Sequence, residues 1–236
     1  MKHSKYKCDL NTCFMCKCCL PEWLRAVDAQ RQTFQVKKGE VILREGDAVT
    51  GVYFVYEGNF KVHKKWGEKE LIIRFAKKGA IFGHRGLGTI TAIYPISATA
   101  LEPGTVCFIP LGFFMASLKV NQDFLLKLML FFADELQESE QKMRNLAHLP
   151  VKGRVAQALL ALQQQYGSSA EGNIGLDLTR QDLASYAGAT YETVFRTVNE
   201  LVLENLISLK GKSICITNQS GLLQLTQDLS LETPAI

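Results

Sequence analysis

From Leu118 to Leu146 the chain runs for almost thirty residues without a glycine or a proline. Within that stretch Leu125, Met129, Phe132, Leu136, Met143 and Leu146 recur at alternating spacings of four and three, with Ser139 in the one polar seam position. That is a heptad stripe, and it predicts one continuous helix. At 1.5 Å per residue such a helix is about 42 Å long, more than a small domain can cover. The spacing therefore predicts that the six apolar side chains form the seam of a parallel two-stranded homodimer. Packing of the helix on its own domain is the competing reading. Pro150 ends the helix.

The stretch before the helix reads as strands. Between residues 31 and 110 short Val/Ile/Phe/Tyr runs alternate with the turn signals Gly39, Gly46–Asp47, Gly58–Asn59 and Gly67. A spacing of about ten residues is that of a sandwich or barrel of short antiparallel strands. AIFG, ISATALE and TVCFIP add further runs too short for helices. With 47% hydrophobic and 21% charged residues in 236, the chain can bury a sizeable core without covalent staples.

Beyond Pro150 the pattern changes. VKGRVAQALLALQQQYGSSA is amphipathic and closes at Gly167, and a turn-rich SSAEGNIG loop comes next. In DLTRQDLASYAGATYETVFRTVNELVLENLISLKGKSICIT, Thr179 and Asp182 form a capping-box pattern. A short helix should run to Ala187, and Gly188 permits a sharp turn. Thr190 caps a second helix running to about Glu204. Its buried stripe is Val194, Val198 and Leu201, and Tyr191, Glu192, Phe195 and Arg196 lie opposite. This is helix-turn-helix spacing, with the second helix offered to a DNA major groove. ISLKGKSICIT reads as two wing strands. Arg196 suits a bidentate contact to guanine, and Glu192 can accept from a cytosine amino group. Thr179, Arg180, Lys210 and Lys212 are candidate phosphate contacts, with Thr190 and Thr193 on the same edge. A net charge of +4 permits a nucleic-acid partner without arguing for one.

The N-terminus poses a separate problem. Five of seven cysteines fall in MKHSKYKCDLNTCFMCKCC. A disulfide knot, a zinc site and an iron–sulfur cluster are all chemically open. Residues 1–7 are polar and no run reaches about 18 apolar residues, so neither a leader nor a membrane span is expected, and the chain reads as cytoplasmic. In that reducing compartment, clustered cysteines point to ligands or redox groups over structural disulfides. Lys17, the only charge between Cys13 and Cys19, reads as a solvated lysine. Cys215, in a wing strand, reads as an inert core residue.

The order of parts resembles the Crp/Fnr family of bacterial transcription regulators over essentially the whole chain. KKGEVILREGD…VYFVYEGNFKV is similar to that family's β-roll signature, and TRQDLASYAGATYETVFRTVNELVLENLI to its helix-turn-helix. The resemblance implies an α+β fold: a cyclic-nucleotide-binding-like β-roll (a double-stranded β-helix or jelly roll), a long dimerisation helix and a winged helix-turn-helix. The expected boundaries are a cysteine-rich segment at 1–24, the roll at 25–117, the dimer helix at 118–148 and the DNA-binding domain at 149–236. It also implies a homodimer on a pseudo-palindromic site, with RNA polymerase as a further partner. Glu192 and Arg196 match the family's principal base-reading positions; Tyr191 and Phe195 depart from its commonest pattern.

Two sensing modes of the family differ here. In the cyclic-nucleotide branch a Gly-Glu pair holds the ribose and an Arg-Ser pair the phosphate. In FGHRGLGTITAIYPISATALE, Gly83 is followed by His84, and Pro95-Ile96 precedes Ser97 where the arginine would stand. A buried phosphate without a cation is costly, so cyclic AMP is not the expected effector. The oxygen-sensing branch holds a [4Fe–4S] cluster on three N-terminal cysteines and one in the roll. The resemblance implies Cys13, Cys16, Cys19 and Cys107 as ligands, with Cys8 and Cys18 as spares. Zinc on the same thiols, a thiol–disulfide switch, or a small effector in the roll are the alternatives. No nucleophile elbow, Walker loop or paired carboxylates suggest an enzyme, and no catalytic residue is assigned. His63, His84 and His148 read as solvated or structural.

Overall fold

The computed structural model describes residues 1–4, 10–88, 92–169, 172–211 and 213–227. Cys8 and Lys212 lie outside the described residues. The chain divides into two compact units, Met1–Gln137 and Glu138–Ile236.

The first unit holds the strands. A five-stranded sheet is built from β1 (Lys2–Ser4), β2 (Gln32–Val36), β4 (Gly51–Glu57), β7 (Ile81–Phe82) and β9 (Gly104–Pro110), in the order β1-β2-β9-β4-β7. A second, four-stranded sheet runs β3-β8-β5-β6, from β3 (Val41–Leu43), β5 (Phe60–Trp66), β6 (Lys69–Ala76) and β8 (Ser97–Ala100). All pairings are antiparallel. Alternation along β4 and β9 divides the five-stranded sheet into two buried faces. Tyr53, Val55 and Val106 join Phe60, Val62 and Ala98 of the other sheet in one core. Val52, Phe54, Cys107 and Ile109 face the opposite way, into a second core with the N-terminal segment and the helices after β9. A strand buried on both faces has little polar alternation, which is why TVCFIP reads as a continuous apolar run.

Helix α1 (Leu24–Gln30) precedes β2, and α2 (Leu111–Val120) and α3 (Gln122–His148) come after β9. The helix expected to run unbroken from Leu118 is instead divided at Asn121. Leu118 belongs to α2, and Asn121 interrupts with φ −109° and ψ 88°. Asparagine competes for the backbone: its Nδ2 donates to the Ser117 carbonyl at 2.9 Å. Helix α3 carries two stripes. Phe124, Leu128 and Glu135 are buried against the first unit, with Phe131 beside them. Leu125, Met129, Phe132 and Leu136 form the adjoining stripe, about 100° round the helix, and are 47%, 58%, 37% and 59% exposed; Met143 and Leu146 are exposed too. One face of the helix thus packs on its own unit, while the six residues of the heptad stripe stay exposed.

The second unit contains α4 (Val151–Tyr166), α5 (Arg180–Ala187), α6 (Tyr191–Leu203), the hairpin of β10 (Ile207–Lys210) and β11 (Ser213–Ile216), and α7 (Gln219–Gln224). Gly188 ends α5 in the left-handed region at φ 64°, the turn that separates the two helices. Val194, Val198 and Leu201 are buried as the periodicity predicts.

Candidate functional site

Two groups of residues carry chemistry. The first is the outer face of α6. Thr179 Oγ1 accepts from the Asp182 N–H at 3.0 Å and donates to Asp182 Oδ2 at 2.6 Å. Thr190 Oγ1 accepts from the Thr193 N–H at 3.3 Å, and the two hydroxyls lie 3.0 Å apart. Capping uses the Thr179 hydroxyl hydrogen, so the donors left for a phosphate there are first-turn backbone N–H groups. Tyr191, Glu192, Phe195 and Arg196 are all exposed on one side of the helix, and Lys210 is exposed in the wing. Arg180 is half-buried, and burial lowers the pKa of its guanidinium.

The second group is the cysteine segment. Cys13, Cys16, Cys18 and Cys107 are buried in one cluster, with the half-buried Cys19 packed against it. Cys107 pairs with Phe54 and Thr33 across the sheet, and its Sγ lies 3.9 Å from Thr33 Oγ1. The segment is docked at both ends. The Phe14 N–H donates to the Gly79 carbonyl at 3.3 Å. Gly79 has φ 86°, and a Cβ there would lie 2.5 Å from the Thr12 oxygen, so only glycine lets the segment approach. Farther on, the Leu20 N–H donates to Asn121 Oδ1 at 2.7 Å and Trp23 Nε1 to Ser117 Oγ at 2.9 Å. Trp23 stacks on Phe113 with centroids 5.6 Å apart. The end of the cysteine segment is therefore tied to the break between α2 and α3.

The donor chemistry fits an iron–sulfur cluster or zinc: soft thiols in a dry, apolar shell. Among the described residues no three His, Cys, Asp or Glu side chains gather as a metal site. Burial pushes the Cys19 thiol up to about 12, with the neighbouring Cys18 and Cys13 adding to it. Burial also raises the Cys18 thiol, but Lys127 and Lys17 partly offset it. Cys19 has more open surface than Cys18, yet among the described residues no cation offsets the burial of its thiol.

A third feature escaped sequence reasoning. His84, at the position of the family's ribose-binding glutamate, is buried and its Nε2 lies 2.8 Å from Glu135 Oε2. Arg85 Nε donates to the same oxygen at 3.0 Å. Arg74 Nε lies 2.7 Å from Oε1, an ion contact without hydrogen-bond alignment. Among the described residues His84 Nδ1, which is buried, has no hydrogen-bond partner, and the ring packs edge-on to Phe131 and Phe132, which assigns the proton to Nε2. The hint in the sequence was a glutamate in an apolar helix stripe. His63 is also structural: its Nε2 lies 2.8 Å from Thr99 Oγ1 and its Nδ1 2.9 Å from Glu70.

Residues 33–121 match the family model described as a cyclic nucleotide-binding domain, and residues 153–225 the model described as a Crp-like helix-turn-helix domain. The chain is 31% identical to the cAMP-activated global transcriptional regulator CRP of Escherichia coli over 180 residues, 74% of this chain and 84% of that one. It is 26% identical to the transcriptional activator protein FnrA of Stutzerimonas stutzeri over 222 residues, 90% of each. The solved structure of FixK2 from Bradyrhizobium japonicum superposes with a TM-score of 0.74 at 24% identity, covering 84% of this chain and 98% of that one. No helix among the described residues is long and apolar enough to cross a membrane. With a β-roll, a capped and glycine-turned helix pair and a wing, matched over both parts by these relatives, the chain is a DNA-binding transcription regulator of the Crp/Fnr family.

Proposed function

We propose that the chain works in the cytoplasm as a homodimeric regulator, not an enzyme, whose DNA binding responds to oxygen or redox state through its cysteine segment. The supporting observation is that Cys13, Cys16, Cys18 and Cys107 all belong to one buried apolar core, with Cys19 packed against it, beside the α2–α3 break. Cys13, Cys16, Cys19 and Cys107 would hold a [4Fe–4S] cluster, with Cys8 and Cys18 in reserve. When bound, that group supplies a thiolate link between segment and β9 that oxygen or nitric oxide dismantles. The chain's own residues carry the consequence. Release of the segment removes the Leu20 and Trp23 hydrogen bonds and frees Asn121, at the root of α3, to change conformation.

The exposed seam of Leu125, Met129, Phe132 and Leu136 supports pairing of α3 with a second copy. Each α6 then reads one half-site: Arg196 donates to guanine O6 and N7, and Glu192 accepts from a cytosine amino group. Arg180, Lys210 and Lys212 contact phosphates, and RNA polymerase engages the DNA-bound dimer. Cyclic AMP is not the proposed effector, because His84 is committed to Glu135 and Ile96, not an arginine, directly precedes Ser97.

The test is a binding titration of anaerobically purified protein on a promoter pool, before and after air exposure. The proposal expects tight binding in one state only. Equal affinity in both states contradicts redox gating.

A further inference from the structure

Tyr191 and Phe195, one turn apart on α6, remain 40% and 49% exposed. Their rings stack with centroids 6.2 Å apart and planes 20° apart. Each is only partly covered, beside the buried stripe of Val194, Val198 and Leu201 that anchors this helix. Apolar surface of this kind gains free energy when a partner covers it. Exposed Glu192 and Arg196 adjoin it in sequence on the same side of the helix, and they limit what that partner can be. Those two polar residues complement base edges, and the apolar feature that a duplex displays in its major groove is the 5-methyl group of thymine.

We infer that Tyr191 and Phe195 are specificity-determining residues that read thymine methyl groups, one for each ring. This rests on the DNA-reading role proposed for α6 and names a part of its target. Four residues of helix advance about 6 Å, and base pairs along one strand are about 3.4 Å apart. The two thymines therefore lie within about two steps of each other, adjoining the bases read by Glu192 and Arg196. A 5-methylcytosine offers the same methyl at the same place and should substitute.

The experiment starts from selection of duplexes from a random library by the full chain, in anaerobic and air-exposed preparations. Each thymine of the selected half-site is then replaced by deoxyuridine, which keeps the base pair and removes only the methyl. The expected result is a loss of about fourfold in affinity at each of two neighbouring positions, the value of one buried methyl. Phe195→Ala should lose a similar factor on the thymine duplex and no longer distinguish thymine from uracil at one of them. Unchanged wild-type affinity at every uracil-substituted position overturns the inference, and this arm needs no variant. Thymine–uracil discrimination fully retained by both Phe195→Ala and Tyr191→Ala also overturns it. So does preferential binding of single strands, which would make the rings stacking platforms. Failure to enrich any duplex in either preparation would instead defeat the DNA-reading role itself.

Discussion

Replacing Glu135 with glutamine probes the charged core beneath α3. The carboxylate is 6% exposed and receives Arg74, His84 and Arg85 within 3.0 Å. Burial alone would raise its pKa. The His84 hydrogen bond and the charge of Arg74, with smaller help from Arg85, outweigh burial and hold it at about 2, against an ordinary value of 4.5. At 1.36 kcal/mol per pH unit, that difference stabilises the fold by about 3 kcal/mol at neutral pH. His84 makes this a ceiling. Burial depresses its own pKa, so at neutral pH it donates a hydrogen bond without bringing a charge, and the two arginines supply the compensation. Losing one member of a buried charge cluster leaves the others uncompensated, and with the pKa difference as the ceiling a cost of about 2–3 kcal/mol is expected for Glu135→Gln. Because folding lowers this carboxyl pKa, its stabilisation is present above 4.5 and is lost as pH falls towards 2. His84 adds acid sensitivity earlier: the unfolded state takes up its proton as pH falls below 6.5, whereas the fold does so only at lower pH. Urea titrations followed by circular dichroism, at one protein concentration, give the comparison. The wild-type midpoint should fall from pH 7 to pH 4, and the gap to Glu135→Gln should narrow as pH drops below 4.5. A variant within about 0.5 kcal/mol of wild type at pH 7, the ordinary scatter of surface substitutions, would refute this reasoning.

Other perturbations test other links. Thr179→Ala removes a cap whose donor and acceptor are both used, and should cost about 1 kcal/mol in urea denaturation while Thr179→Ser stays near wild type. Trp23→Phe keeps the stack on Phe113 but deletes the hydrogen bond to Ser117; a net loss of about 1 kcal/mol predicts roughly fivefold faster proteolysis of the N-terminal segment. Met129→Glu combined with Leu136→Glu places charge in the exposed seam and should give a monomer by sedimentation, with its circular dichroism unchanged.

Much of the fold was legible because its signals are local. Gly188, Thr179 and Thr190 act on their own turns, and the apolar spacing of α6 marks its buried side directly. The features that escaped were decided by partners distant in sequence. Asn121 reads as one more polar residue in a long helix until Leu20 is seen to donate to it. Glu135 looks like a solvated charge until Arg74, His84 and Arg85 arrive from the roll. The heptad spacing exposed one face of α3, but the neighbouring stripe of Phe124, Leu128 and Phe131 needed the roll to give it meaning. Cys107 is the converse case: an ordinary strand cysteine by local criteria, buried in the same cluster as Cys13, Cys16 and Cys18.

The most direct test of redox sensing is iron and acid-labile sulfide analysis of anaerobically purified or reconstituted protein, with its visible spectrum. The account predicts about four irons and four sulfides per chain for wild type. It predicts loss of that content in Cys107→Ala and Cys19→Ser, with the fold intact and Cys18→Ser unaffected. A colourless wild-type protein, holding zinc or no metal, would contradict it.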